Sequence, residues 1–158
     1  MAETPFAFRL VTPQRLVLQA EIVSLQAPGS EGYLGVLAHH AALITSLRPG
    51  RLDVRDAKGV VTSFAVSGGF LEVSGNRATV LADTAERAGE IDVERARASQ
   101  KRAEERLRQA AGGPPALGGA GAGGEGAVAT ETTVDHDRAM RSLERAKNRL
   151  AVAIAERG

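Results

Sequence analysis

The sequence predicts an α+β chain in two domains, an N-terminal antiparallel β-sandwich over residues 1–87 followed by a C-terminal antiparallel α-helical hairpin over 88–158. Three observations carry this. Apolar residues recur with a period of two through the first half and at helical spacing in the second. Turn-forming residues punctuate the first half at short intervals. A Gly-rich stretch at about 110–133 separates two charge-dense helical segments.

In the first half, Leu52 and Val54 alternate with Asp53 and Arg55, Phe64 and Val66 with Ser63 and Ala65, and Ala78 and Val80 with Arg77 and Thr79. Such alternation places one side of each strand in a core and the other toward solvent. Strands are expected at Phe6–Val11, Leu16–Ala27, Gly50–Asp56, Val60–Ser67, Phe70–Ser74 and Arg77–Ala82. Turns are expected at Pro28-Gly29-Ser30, Pro49-Gly50, Asp56-Ala57-Lys58-Gly59, Ser67-Gly68-Gly69 and Ser74-Gly75-Asn76. Trp is absent and aromatics make up 3% of the chain, so the core must be built from Val, Leu, Ile and Ala.

In the second half, Val93, Ala96, Gln100, Ala103 and Leu107 line one helix face, with Asp92 as the N-cap and Ile91 placed for a hydrophobic staple. Met140, Leu143, Lys147, Leu150 and Ile154 repeat the spacing in a second helix, for which Asp135 is the expected cap. Ala139, Ala146 and Ala153 lie beside that seam. Gln100 and Lys147 interrupt an otherwise Ala-rich stripe. At about 0.8 kcal/mol per buried CH2, such a seam holds two helices together only modestly. A ligand or partner that favours one arrangement would therefore shift it. The segment 110–133 has eight glycines and no basic residue, which suits a flexible tether and excludes a phosphate loop, since that needs a Lys.

Composition excludes several functions. With 20 basic and 19 acidic side chains the net charge is +1, which argues against a nucleic-acid binder. Cys is absent, so disulfides, thiolate metal sites and Cys nucleophiles are ruled out. The adjacent His39 and His40 point to opposite sides of an extended chain, a poor arrangement for a metal. No metal site and no catalytic constellation is expected. The opening Met1-Ala2-Glu3-Thr4-Pro5 lacks the layout of a secretory signal, and no apolar run reaches the roughly 20 residues of a membrane span.

Three segments together resemble one family. They are Gly29-Ser30-Glu31-Gly32-Tyr33-Leu34-Gly35-Val36-Leu37 running on to His40-Ala41, Ser67-Gly68-Gly69-Phe70-Leu71-Glu72-Val73 leading into Thr79-Val80-Leu81-Ala82-Asp83, and Ile91-Asp92-Val93-Glu94-Arg95-Ala96. Their order and spacing are similar to those of the epsilon subunit of bacterial F-type ATP synthase. The family commonly has Pro-Gly before the His and Pro two residues after it, where this chain reads Ala38-His39-His40-Ala41-Ala42.

The resemblance implies a non-catalytic rotor subunit of the central stalk, peripheral at the cytoplasmic face of the bacterial membrane and part of a proton-translocating enzyme. Its sandwich would contact the gamma subunit and the ring of c subunits, with Glu31 and His40 as contact residues. Its hairpin would either fold onto the sandwich or extend into the alpha/beta catalytic head and stop ATP hydrolysis. Arg138, Arg141, Arg145, Lys147 and Arg149 make the second helix locally basic, which suits an acidic surface of the head.

The same resemblance implies a regulatory ATP site and no obligatory cofactor. The family pattern I/L-D-x-x-R-A stands as Ile91, Asp92, Val93, Glu94, Arg95 and Ala96. Glu86 and Arg102 fall at the matching distances, and R-A-x-N-R-L supplies Arg145 and Arg149. Guanidinium forks match phosphate oxygens. Taken singly, these residues also fit ordinary helix chemistry, with Asp92 as a cap and Arg95 paired to Asp92 or Glu94. Two alternatives compete with the rotor reading: a free-standing ATP-binding sensor, and an RNA- or anion-binding adaptor that the charge balance and scarce aromatics disfavour.

Overall fold

A computed structural model describes residues 3–112 and 128–157. Eight strands come first: β1 Phe6–Val11, β2 Leu16–Ile22, β3 Ser24–Gly29, β4 Gly32–Val36, β5 Leu43–Arg55, β6 Val61–Ser74, β7 Arg77–Ala82 and β8 Ala85–Arg87. A 3-10 turn at Ala88–Glu90 leads into α1, Val93–Gly112, and α2 spans Val128–Arg157. Two compact units result: residues up to Ile91 together with those from Asn148 onward, and the segment Asp92–Lys147. The fold is the β-sandwich followed by a helical hairpin.

In the β unit the strands run in the order β2-β1-β7-β6-β5-β3-β4, and β8 pairs with β6. Every pairing is antiparallel except β1 with β7, which is parallel. The long β5 and β6 pair from Leu43↔Val73 to Arg55↔Val61. Their two halves meet different neighbours: Gly69–Ser74 pairs with β7, whereas Phe64–Val66 pairs with β8. The alternation read from sequence is realised here. Leu52, Val54, Phe64, Val66, Ala78 and Val80 are all buried, in one core with Phe6, Phe8, Leu10, Leu25 and Leu71. Burying each large side chain contributes about 1.5–3 kcal/mol.

Several expected turns are not turns. Pro49-Gly50 lies inside β5 and Ser67-Gly68-Gly69 inside β6, so the two expected strands there are one, and β5 begins at Leu43. Pro49 has no N–H to give its partner Ser67, and the Ser67 N–H itself donates to Thr84 O at 3.2 Å. At Gly69 φ is +124°, and a Cβ would stand 2.0 Å from Leu81 O. This glycine therefore lets β7 close on β6. Conversely, the expected strand Leu16–Ala27 is broken at Val23, and β4 and β8 were not foreseen. The chain reverses between β3 and β4 at Ser30-Glu31, after Pro28-Gly29, both of which are buried in β3.

Two turns behave as read. Gly75 and Asn76 both have positive φ, the pattern of a two-residue I′ hairpin between β6 and β7. Asp56 Oδ1 accepts from the Lys58 and Val60 N–H groups at 2.8 and 2.9 Å, closing the β5–β6 connection. Ahead of β1, Glu3 grips the Arg55 guanidinium through both oxygens, and the hydrogen bond from Arg55 holds the Glu3 carboxyl below its usual range. A depressed folded pKa means this exposed clamp acts at neutral pH and is lost as pH falls through that value.

In α1 the buried positions are Ala96 and Ala103, with Val93, Gln100 and Leu107 half-buried, as the spacing predicts. α2 corrects the sequence reading. Among its residues whose burial is described, those buried are Ala139, Ala146, Val152 and Ala153, whereas Met140 and Ile154 are 42% and 61% exposed and Lys147 is exposed. Within the helical unit the buried residues described for α2 are thus Ala139 and Ala146. The helix begins at Val128, so Asp135 lies inside it and is not its cap. Both margins of the expected tether are helical, and the remainder, 113–127, lies outside the described residues.

Substituting Gly69→Ala sets a backbone clash on a left-handed φ and is expected to cost about 2 kcal/mol or more in urea unfolding. Gly35→Ala, which has nothing within 4 Å of its added Cβ, is expected to stay within about 0.5 kcal/mol.

Candidate functional site

The residues of the expected nucleotide site divide between the two units. Glu86, Ile91 and Arg149 belong to the β unit; Asp92, Arg95, Ala96, Arg102 and Arg145 belong to the helical one.

In the β unit, Glu86 stands on β8, opposite Ala65 of β6. Its Oε2 accepts from Arg149 Nη2 at 2.7 Å. Arg149 is therefore half-buried and engaged, and is no part of an open basic face. Its Nε is buried with no acceptor among the described residues. Ile91 is 3% exposed and ends the 3-10 turn, its N–H donating to Ala88 O.

In the helical unit, Asp92 is the N-cap of α1. Its Oδ1 accepts from the Arg95 N–H at 3.0 Å, and its main-chain oxygen accepts from the Ala96 N–H at 3.0 Å. The Arg95 side chain is exposed, and Glu94 pairs with Arg97 at 3.1 Å. Arg102 is exposed and donates through Nη2 to Ser99 Oγ at 3.0 Å. Ala96 is fully buried. Arg145 is exposed, as are Arg138 and Arg141.

On the sandwich, Glu31 is exposed at the β3–β4 reversal. His40 is exposed too, with Nδ1 2.9 Å from Ala41 O. Its neighbour His39 adopts φ +61° and donates its N–H to Asn76 Oδ1, which ties this loop to the β6–β7 turn.

Two features escaped the sequence reading. One is Asn148, which sits inside the R-A-x-N-R-L stretch and donates from Nδ2 to Gly50 O at 3.0 Å and Val66 O at 2.9 Å. The other is an apolar row across four strands. Leu16 pairs with Val11, Val11 with Leu81, and Leu81 with Phe70, and three of the four are about half exposed. A cleft of about 330 Å³ lies along it, lined by Val11, Pro13, Phe70 and Leu81. Leu81 was legible as outward from the alternation with Ala78 and Val80, but that it stands beside Phe70 and Val11 depends on the strand register.

Known proteins give this arrangement a context. A family model for the ATP synthase delta/epsilon chain β-sandwich domain matches residues 5–88, and one for the long α-helix domain of the same chain matches 90–115. The ATP synthase epsilon chain of Moorella thermoacetica is 53% identical over 108 residues, covering 68% of this chain and 78% of that one. The epsilon chain of Herpetosiphon aurantiacus is 40% identical over 149 residues, 94% of each chain. Among solved structures, a chain of the Euglena gracilis mitochondrial ATP synthase superposes with a TM-score of 0.71 at 21% identity, over 95% of this chain and 81% of that one. A chain of the Tetrahymena thermophila central stalk and c-ring gives 0.53 at 16% identity, over 94% and 99%. The sandwich, the helices and the identity along nearly the whole length agree: the chain belongs to the ATP synthase epsilon chain family.

Proposed function

We propose that the chain is a non-catalytic rotor subunit of a proton-translocating F-type ATP synthase, coupling the catalytic head to the c-ring and regulating hydrolysis through its hairpin. The observation that carries this reading is 40% identity to an epsilon chain over 94% of the length, spanning both sandwich and helices. The sandwich suits a part that transmits torque, because its backbone hydrogen bonds are internal and its core is continuous. The apolar row of Leu16, Val11, Leu81 and Phe70 is the surface we assign to gamma, and the Glu31 turn is assigned to the c-ring, with His40 as a further contact. No described helix is long and apolar enough to cross a membrane, which is compatible with a peripheral place at the cytoplasmic face, held there by the complex.

The hairpin is the regulatory part. Its seam is alanine, so little apolar area opposes its opening. ATP is the proposed ligand, bound through Arg95, Arg102, Arg145 and Arg149, with Ile91, Asp92, Ala96 and Glu86 completing the family pattern. Arg149 already holds one anion, the Glu86 carboxylate. A ligand that binds only the folded hairpin stabilises it over the extended form in proportion to its concentration.

Isothermal titration of the full chain with ATP is expected to show binding that Arg95→Ala or Arg145→Ala weakens by about tenfold, the equivalent of roughly 1.4 kcal/mol. Unchanged affinity in both variants would remove the site. Phe70→Glu with Leu81→Glu is expected to weaken capture by gamma about tenfold or more while the sandwich stays folded. If the chain binds ATP but never joins a gamma-containing particle, it is a free-standing sensor instead. Ending the chain after Glu90 is expected to leave an assembled enzyme with raised ATP hydrolysis, and unaltered hydrolysis would contradict the inhibitory arm.

A further inference from the structure

The β unit contains the last turns of α2, and the way they are fastened is specific. Asn148 offers both hydrogens of one amide to two main-chain oxygens, Gly50 O on β5 and Val66 O on β6. Gly50 and Val66 are direct cross-strand partners. The next residue, Arg149, reaches Glu86 on β8, and Val66 is paired with Ala85, the residue before Glu86. Two consecutive helix residues thus grip neighbouring points of the β5–β6–β8 sheet. Side chains one residue apart point about 100° apart around a helix, so the pair fixes both the rotation of α2 about its axis and its position along it. A slip by one turn, 5.4 Å, breaks all three hydrogen bonds.

The surroundings agree with a docked segment. Ser63 and Ala65, on the side of β6 that the alternation assigns to solvent, are 1% and 4% exposed, and Val152 and Ala153 of α2 are each 1% exposed. The boundary between the compact units falls between Lys147 and Asn148, inside an unbroken helix.

We infer that Asn148, with the Arg149–Glu86 pair, is the clasp that holds the C-terminal turns of α2 on β5 and β6, and that extending the arm begins by opening it. The second half of this inference rests on the regulatory reading; the clasp itself does not. Because the amide binds main-chain oxygens, it needs no particular side chain on the sheet. It does need a donor at position 148. A leucine there fills similar space with no N–H, and an aspartate sets a carboxylate against two carbonyl oxygens.

The test is amide hydrogen exchange on the full chain without nucleotide, comparing the native protein with Asn148→Leu and Asn148→Asp. Exchange in residues 148–157 is expected to quicken at least tenfold in both variants, while β1 and β7 keep their protection. Unchanged exchange in 148–157 would overturn the clasp. So would loss of protection throughout the sandwich, since Asn148 would then be a general support of the fold and not a local fastening. The absence of nucleotide separates this outcome from that of the ATP site. A failed titration leaves the clasp standing, and a failed exchange test leaves the titration to stand on its own.

Discussion

The pairing of β5 with β6 is the constraint on which the rest of the structure depends. Among the described residues these are the two longest strands, and their pairing runs from Leu43↔Val73 to Arg55↔Val61. On one face it sends Leu52, Val54, Phe64 and Val66 into the core. On the other it presents Gly50 O and Val66 O to Asn148. Farther along it turns Phe70 outward beside Leu81. A shift of one residue would exchange core for surface along both strands, and would erase the apolar row and the seat of α2 together.

The sheet and the helices are built on different energetics. The sandwich buries large aliphatic and aromatic side chains over many strands, which makes its opening costly. In the hairpin, the described residues that are buried are five alanines and Val152, and Met140 and Ile154 are 42% and 61% exposed. Its charged residues include exposed guanidiniums at Arg95, Arg102 and Arg145, and one held guanidinium at Arg149. A part with so little apolar area to lose is governed by polar contacts. In the proposed function its equilibrium is moved by an anion or by a partner surface at a differential affinity of a few kcal/mol.

Much of this was legible in the sequence. Period-two alternation identified the core residues of β5, β6 and β7, because alternation follows directly from strand geometry. Asp92 was legible as a cap because a carboxylate just before a helical run has one common use. The failures share a cause. Pro49-Gly50 and Ser67-Gly68-Gly69 read as turns because their residue types are those of turns, yet here Gly50 lets β5 approach Pro28 of β3 and Gly69 lets β6 approach Leu81 of β7. The buried face of α2 was misplaced because size was used to rank its faces, whereas the described residues that are buried are Ala139, Ala146, Val152 and Ala153. The asparagine at 148 carried no signal of its own, since its acceptors are main-chain atoms 98 and 82 residues away.

The central claim is that α2 leaves and regains its seat on the sheet as ATP and the catalytic head compete for it. The chain has no cysteine, so two introduced at exposed positions, Lys58→Cys at the β5–β6 turn and Glu156→Cys near the end of α2, take spin labels uniquely. Pulsed electron resonance on the assembled enzyme then measures their separation directly. The account predicts two distances whose proportions move toward the docked value as ATP is added. One distance, the same with and without nucleotide, would contradict it.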